Sequence, residues 1–204
     1  MGKGGKIGIG CLVVLIIAAI AVFSFGKNTY NNLVSLDESV NNSWAQVQNV
    51  LQRRMDLIPN LVQTVKGYAS HERETLEAVI QARANATKTQ INAEDMAKNP
   101  QMLQQFMNAQ NGITEALGRL MVVVERYPDL KANQNFIHLQ EELTGTENRI
   151  AVERRRFNDT VRQLNQKIRT FPTVLIAGML GFQQRPYFEA PTQAQEAPRV
   201  DFTN

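Results

Sequence analysis

The sequence predicts an all-α protein: an N-terminal transmembrane helix, a long antiparallel four-helix bundle, and a disordered C-terminal tail. Three observations carry that reading. An uncharged run of about 19 residues, IGIGCLVVLIIAAIAVFSF, fills positions 7–25 of the 204-residue chain. Behind it, apolar residues recur at three- and four-residue steps with no strand-like alternation. Few breakers interrupt the pattern, and no turn signal sits between β-branched runs as a hairpin would need.

The first element follows from the physics of lipid. A helix rises 1.5 Å per residue, so about 19 residues nearly span a hydrocarbon layer of roughly 30 Å. In lipid the backbone must satisfy its own hydrogen bonds, which leaves a helix as the conformation for residues 7–26. A cleaved signal peptide would have a shorter apolar core and a better cleavage site than Ser24-Phe25-Gly26. A lipoprotein signal would put more apolar chain before Cys11, and Lys6 stands where myristoylation after Gly2 needs Ser or Thr. Lys3, Lys6 and the amino terminus make the leading tail, residues 1–6, the more positive flank. The positive-inside rule then keeps that tail in the cytoplasm and sends the bulk of the chain to the outer side of a membrane crossed once.

Four stripes follow, over a bundle region of residues 27–182. Leu33, Leu36, Val40, Val47 and Val50 mark the first; Leu61, Val65, Leu76 and Val79 the second. Leu103, Phe106, Ile113, Leu117 and Leu120 mark the third; Phe136, Leu143, Ile150, Phe157, Leu164 and Ile168 the fourth. Each is the buried face of an amphipathic helix, and repeats of this kind also suit coiled-coil packing. Pro59 either starts a helix or kinks one. The polar stretch 85–100 reads as a connection, and Tyr127-Pro128 as a tight turn after which Asn133 caps a helix. Gly145 is either tolerated within its helix or a point of close packing. Helices at 27–58, 60–85, 101–126 and 134–171 would be about 39–57 Å long, suited to an up-down-up-down bundle. From 183 to 204 the chain is proline-rich and aperiodic, hence disordered.

Composition excludes several classes. One Cys and two His leave no disulfide framework and no Cys-rich zinc site. Setting Lys3 and Lys6 aside leaves 20 basic against 19 acidic side chains, too even for a nucleic-acid binder. His71-Glu72-Arg73-Glu74-Thr75 begins like a zincin helix but has Thr75 where the second histidine must sit. A di-iron bundle would need Glu three residues before each His; Tyr68 and Asn135 stand there. No catalytic residue, metal ligand, cofactor or enzyme activity is therefore assigned.

Two interaction surfaces are expected instead. If Pro59 and Pro128 both turn the chain at the far end, Arg53, Arg54, Asp56 and Asn60 meet Asp129, Lys131 and Asn133 in a charged tip. That tip suits a partner protein or, more simply, ion pairs that lock the bundle end. The uncharged stretch holding Phe171, Val174, Leu175, Ile176, Met179, Leu180 and Phe182 is too short to span a membrane. It would return towards the bilayer, to lie in the interface, cap the core or contact another subunit.

Several blocks carry a resemblance: RRMDLIPNLV at 53–62, YPDLKAN at 127–133, TENRIA at 146–151 and GFQQRPYFE at 181–189. In them the chain resembles the bacterial LemA family over most of residues 28–189. The resemblance implies an N-terminal anchor with an antiparallel helical bundle in a bacterial inner membrane, the bundle periplasmic or extracellular, no established enzyme activity or agreed cofactor, and a role as a membrane-anchored scaffold or assembly protein. The expected partners are the lipid bilayer, further copies of the chain in a homo-oligomer, and other membrane proteins. Two further roles are carried beside the scaffold: a membrane-shaping or lipid-organising protein, and an adaptor or regulator of a membrane protease or kinase.

Overall fold

A computed structural model describes residues 3–89, 91, 95 and 99–189; among them the chain is helical with no strand. Helix α1 runs from Lys3 to Tyr68 without a break, 66 residues and so roughly 100 Å. Its residues from Leu12 to Phe25 are exposed on every side and touch no other element. A helix that is apolar all round, with nothing packed against it, is long and apolar enough to cross a membrane. From Thr29 onward buried positions begin, and the same helix becomes the first member of the bundle.

Helix α2 (Arg73–Lys88), α3 (Pro100–Val124), the single turn α4 (Pro128–Lys131) and the long α5 (Gln134–Arg169) complete the bundle. The short α6 (Val174–Ala177) follows. Asn99 caps α3, its side chain accepting from the Gln101 amide at 3.1 Å. Asn133 caps α5 as the sequence predicts, accepting from the Phe136 amide at 3.1 Å. α1 and α5 pack along most of their length, antiparallel: Ser43 bonds Thr160 at one level and Arg54 bonds Glu147 at another. α2 and α3 pair alongside them.

The first turn is not at Pro59. Proline has no N–H, so the carbonyl of Met55, four residues earlier, loses its helical donor. Arg83 on α2 supplies one instead, its Nε donating to the Met55 carbonyl at 2.8 Å. The helix therefore passes through Pro59, which is exposed, and ends nine residues later at Tyr68, after which Ala69–Glu72 make the turn. The expected break at 58–60 is thus corrected, and the second helix shortens to Arg73–Lys88. Two smaller expectations shift as well. A Cβ at Gly145 would meet nothing, so it is a tolerated glycine rather than a packing point. Within the polar connection Ile91 is buried, and its carbonyl accepts from Trp44 Nε1 (3.2 Å) and Gln48 Nε2 (2.8 Å).

The tail expectation holds less of the chain than predicted. Residues 182–189 turn back up the bundle and bury Phe188 beside Trp44 and Phe157, with ring centroids 5.8 and 5.3 Å away. Residues 190–204 lie outside the described residues.

The interior falls into two apolar clusters. The lower holds Leu33, Trp44, Phe106, Phe157, Val161 and Phe188, among others. The upper holds Ile58, Leu61, Val65, Leu120, Leu130 and Phe136, among others. Between them lies a polar layer centred on Arg54.

Candidate functional site

The base of the bundle gathers a group of exposed apolar residues. After α5, the chain folds beneath α1 through α6 and a turn closed by Phe182 N–H to the Ala177 carbonyl at 3.1 Å. Gly181 takes φ +83°, a conformation that favours glycine, and lets the chain reverse there. Ala177 is buried in the lower cluster, and Phe182 is half-buried, its ring edge-on to Tyr30 at 6.0 Å. Ile176 is also half-buried. The other side chains turn away from the bundle: Phe171 is 73% exposed, Leu175 64% and Met179 86%, with Val174 and Leu180 beside them. A soluble surface gains nothing from five outward apolar side chains in ten residues.

Their height along the molecule matters. Residue 43 faces 160 and residue 54 faces 147, and each step up one antiparallel helix is a step down the other. Continued downward to Arg169, where α5 ends, that register reaches about residues 32–34 of α1. The apolar run of α1 ends at Phe25, about two turns further down. The Tyr30–Phe182 contact brings the chain beyond α6 down to residue 30, one to two turns from Phe25. Lys167 and Arg169, in the last turn of α5, lie just above the apolar face and suit the negative end of the helix dipole.

The middle of the bundle carries the buried charge. Arg54 is 2% exposed; its guanidinium donates to Glu147 at 2.8 Å, to Thr114 at 3.3 Å and to the side chain and carbonyl of Gln110. Arg154 stands nearby with its guanidinium 5.1 Å over the Phe188 ring. Burial, then the like charge of Arg54, pull the Arg154 pKa below its ordinary value, while Glu147 opposes the shift. The Nε atoms of Arg54 and Arg154 are buried and find no acceptor among the described residues. A cleft of about 280 Å³ opens beside this layer, lined by the amides Gln48, Asn49, Gln52 and Gln110 with Met55 and Phe106. Amides supply hydrogen bonds without proton transfer at neutral pH.

The tip differs from its expected composition. Because α1 continues to Tyr68, Arg54 lies 14 residues, about 21 Å, below the turn. Arg53, Arg54, Asp56 and Asn60 are therefore not at the tip: Arg53 approaches Glu142 at 3.8 Å and Asp56 accepts from Gln52 at 2.7 Å, both on the bundle side. Asp129, Lys131 and Asn133 are at the tip, where Lys131 pairs with Glu125 (2.5 Å) and Asn133 donates to the Tyr68 hydroxyl (2.9 Å). Glu72 joins them, paired with Arg126 at 2.9 Å and accepting from the Tyr127 hydroxyl at 3.1 Å. Partial desolvation, then the bond to Glu72, raise the Tyr127 pKa above its ordinary value. Sequence reasoning missed Glu72, and so its pairing with Arg126 and Tyr127, because it placed the first turn at Pro59 rather than at Ala69–Glu72. Glu72–Arg126 and Glu125–Lys131 are ion pairs that close the bundle end. Among the described residues no group of His, Cys, Asp and Glu is placed to hold a metal ion.

Comparison with known proteins adds a lineage to this geometry. A family model described as "LemA family" matches residues 43–202. A magnetosome protein, MamQ 2 of Paramagnetospirillum magneticum, is 24% identical over 193 residues, covering 87% of this chain and 71% of its own length. MamQ of Magnetospirillum gryphiswaldense is similar at 24% over 192 residues, with the same coverage. A protein named LemA from Metamycoplasma hominis is 27% identical over 192 residues, covering 93% of this chain and 80% of its own.

Proposed function

The chain belongs to the LemA family, and on that premise we propose that it is a non-enzymatic, membrane-anchored scaffold that self-associates at the outer face of the bacterial cytoplasmic membrane. In this reading α1 crosses the bilayer once, amino terminus in the cytoplasm, as the positive charge of Lys3 and Lys6 favours. The bundle then stands outside on the same continuous helix. One observation carries the reading: the exposed apolar base, Phe171 to Leu180, lies one to two helical turns from the point where α1's apolar run ends. A surface at that height meets the headgroup–acyl boundary. Sinking three large apolar side chains partway into it is worth a few kcal/mol at about 25 cal/mol per Å². The contact holds the bundle upright and presents the same face of every copy to its neighbours, which is what a scaffold needs. It also supports the lipid-organising role as part of the scaffold's action rather than a rival to it.

Full-length protein carrying an environment-sensitive fluorophore at Met179, reconstituted in vesicles with shallow spin-labelled lipid, tests the placement. Strong quenching at 179 and none in a Lys131-labelled control is expected; equal quenching at both positions overturns it. Particle mass in lipid nanodiscs tests the association. A strictly monomeric protein at every protein-to-lipid ratio would reject the scaffold.

A further inference from the structure

The returning segment 183–189 is held in an unusual manner. Asn165 bonds both backbone groups of Arg185: its side-chain oxygen accepts from the Arg185 amide at 2.8 Å and its Nδ2 donates to the Arg185 carbonyl at 2.8 Å. Asn158 does the same to Phe188, accepting at 2.8 Å and donating at 2.9 Å. The two asparagines are seven residues apart on α5, two helical turns or about 10.5 Å. Residues 185 and 188 of an extended chain are about 10 Å apart. The spacings match, so one face of α5 reads the backbone of an extended peptide at two points without regard to its side chains. Two side chains then add selectivity. Arg185 donates to Asp37 of α1 at 2.8 Å, and Phe188 enters a pocket walled by Trp44 and Phe157, with Arg154 over its ring.

This is a built peptide-binding groove, filled in this structure by the chain's own Arg-Pro-Tyr-Phe segment. Its tether is short and glycine-bearing. Residues 178–184 lie outside the helices and include Gly178 and Gly181. Extended, those seven residues reach about 23 Å, the width of two helices side by side. We propose that the groove takes the Arg185–Phe188 segment of a second copy, so that neighbouring bundles exchange straps while α6 stays at the base. Identical chains supply the one partner certain to carry the matching segment, and exchange of an identical element adds no new contact that must evolve. Anchoring in one bilayer also sets donor and groove at the same height. The inference rests on the scaffold reading and supplies its means of association.

A photo-crosslinking residue at Tyr187 in the full chain, co-expressed with a differently tagged copy, gives the direct test. Exchange predicts inter-copy products mapping to residues 158–169. It also predicts their loss, by at least tenfold, when the tagged copy carries Asn158→Ala and Asn165→Ala. Products confined to single chains, while nanodisc masses still show oligomers, overturn the exchange and leave the scaffold standing; monomers alone overturn both. A second measurement does not depend on oligomers: a labelled peptide of residues 183–189 should bind a chain ending at Phe182 at least tenfold tighter than the full chain. The Phe188→Ala peptide should lose that binding. Equal binding to both chains, or none to either, refutes the groove as a separable site.

Discussion

Pro59 sits inside a helix that should not tolerate it, and the reason it does can be measured. A helix-interior proline costs about 3 kcal/mol relative to alanine, part of it the carbonyl left without a donor. Met55, whose carbonyl is freed, is only 5% exposed, so water is a poor substitute. The Arg83 bond at 2.8 Å removes that part of the cost. Replacing Arg83 with alanine in the parent chain orphans a buried acceptor, worth about 1–3 kcal/mol. In a Pro59→Ala background the restored backbone amide satisfies the same carbonyl, and losing Arg83 then costs about 0.5–1.5 kcal/mol. The double-mutant cycle should therefore show a coupling of about 1 kcal/mol. Pro59→Ala alone should stabilise, by about 1–2 kcal/mol once the lost stiffness of the unfolded chain is set against it. For a chain of this size each kcal/mol moves Tm by about 2–4 °C. Thermal and urea unfolding followed through Trp44, the only tryptophan and a buried one, reports the bundle without the anchor. Arg83→Ala costing the same in both backgrounds, within about 0.5 kcal/mol, would refute the compensation.

Other expectations follow from the same structure. Glu147→Ala leaves the Arg54 charge buried with only neutral partners and the like charge of Arg154 nearby, so it should cost about 2–4 kcal/mol, reduced from a fully buried pair because Glu147 is 40% exposed. At the tip, the raised Tyr127 pKa means its bond to Glu72 contributes stability fully below the ordinary tyrosine value of about 10. That contribution is lost as pH climbs through the higher folded value, so Tyr127→Phe should flatten the alkaline fall of Tm. Leu175→Asp places a charge at the base, and vesicle quenching of the Met179 fluorophore should drop by at least half while Trp44 fluorescence stays unchanged.

What could be read from the sequence was what repeats locally. The stripes gave the helices, Asn133 gave its cap, and the uncharged run gave a helix fit to cross a membrane, because each signal lies within one or two turns of what it determines. Pro59 misled because its compensation, Arg83, is 24 residues away and visible only once α2 folds back. Phe188 and Ile91 looked like isolated apolar residues in polar segments; only the packed bundle shows the pockets they fill. Asn158 and Asn165 carry no local signal, because the backbone groups they bond lie 30 and 20 residues further along the chain. Arg54 had a usable signal. It falls between Leu51 and Ile58 at three- and four-residue steps, on the apolar face where a charge needs a buried partner.

The buried layer around Arg54 also sets the height of the base. Two antiparallel helices with regular apolar stripes pack almost as well after a slip of one heptad, about 10.5 Å. A slip here would carry Arg54 away from Glu147 and Gln110 and into apolar surroundings, a cost of several kcal/mol that the stripes alone do not impose. The layer therefore fixes α5 against α1, and with it the level of Phe171 and Met179 relative to the apolar end of α1. Arg54→Met with Gln110→Leu removes the layer while filling its volume, and Glu147, partly exposed, can turn to water. Such a variant should stay within about 1 kcal/mol of the parent in stability, because a well-packed apolar replacement of a buried pair is often neutral. Its Met179 fluorophore should nevertheless report a spread of depths in vesicles where the parent reports one. A single unchanged depth would show that the loops and the returning strap, rather than the charge, hold the register.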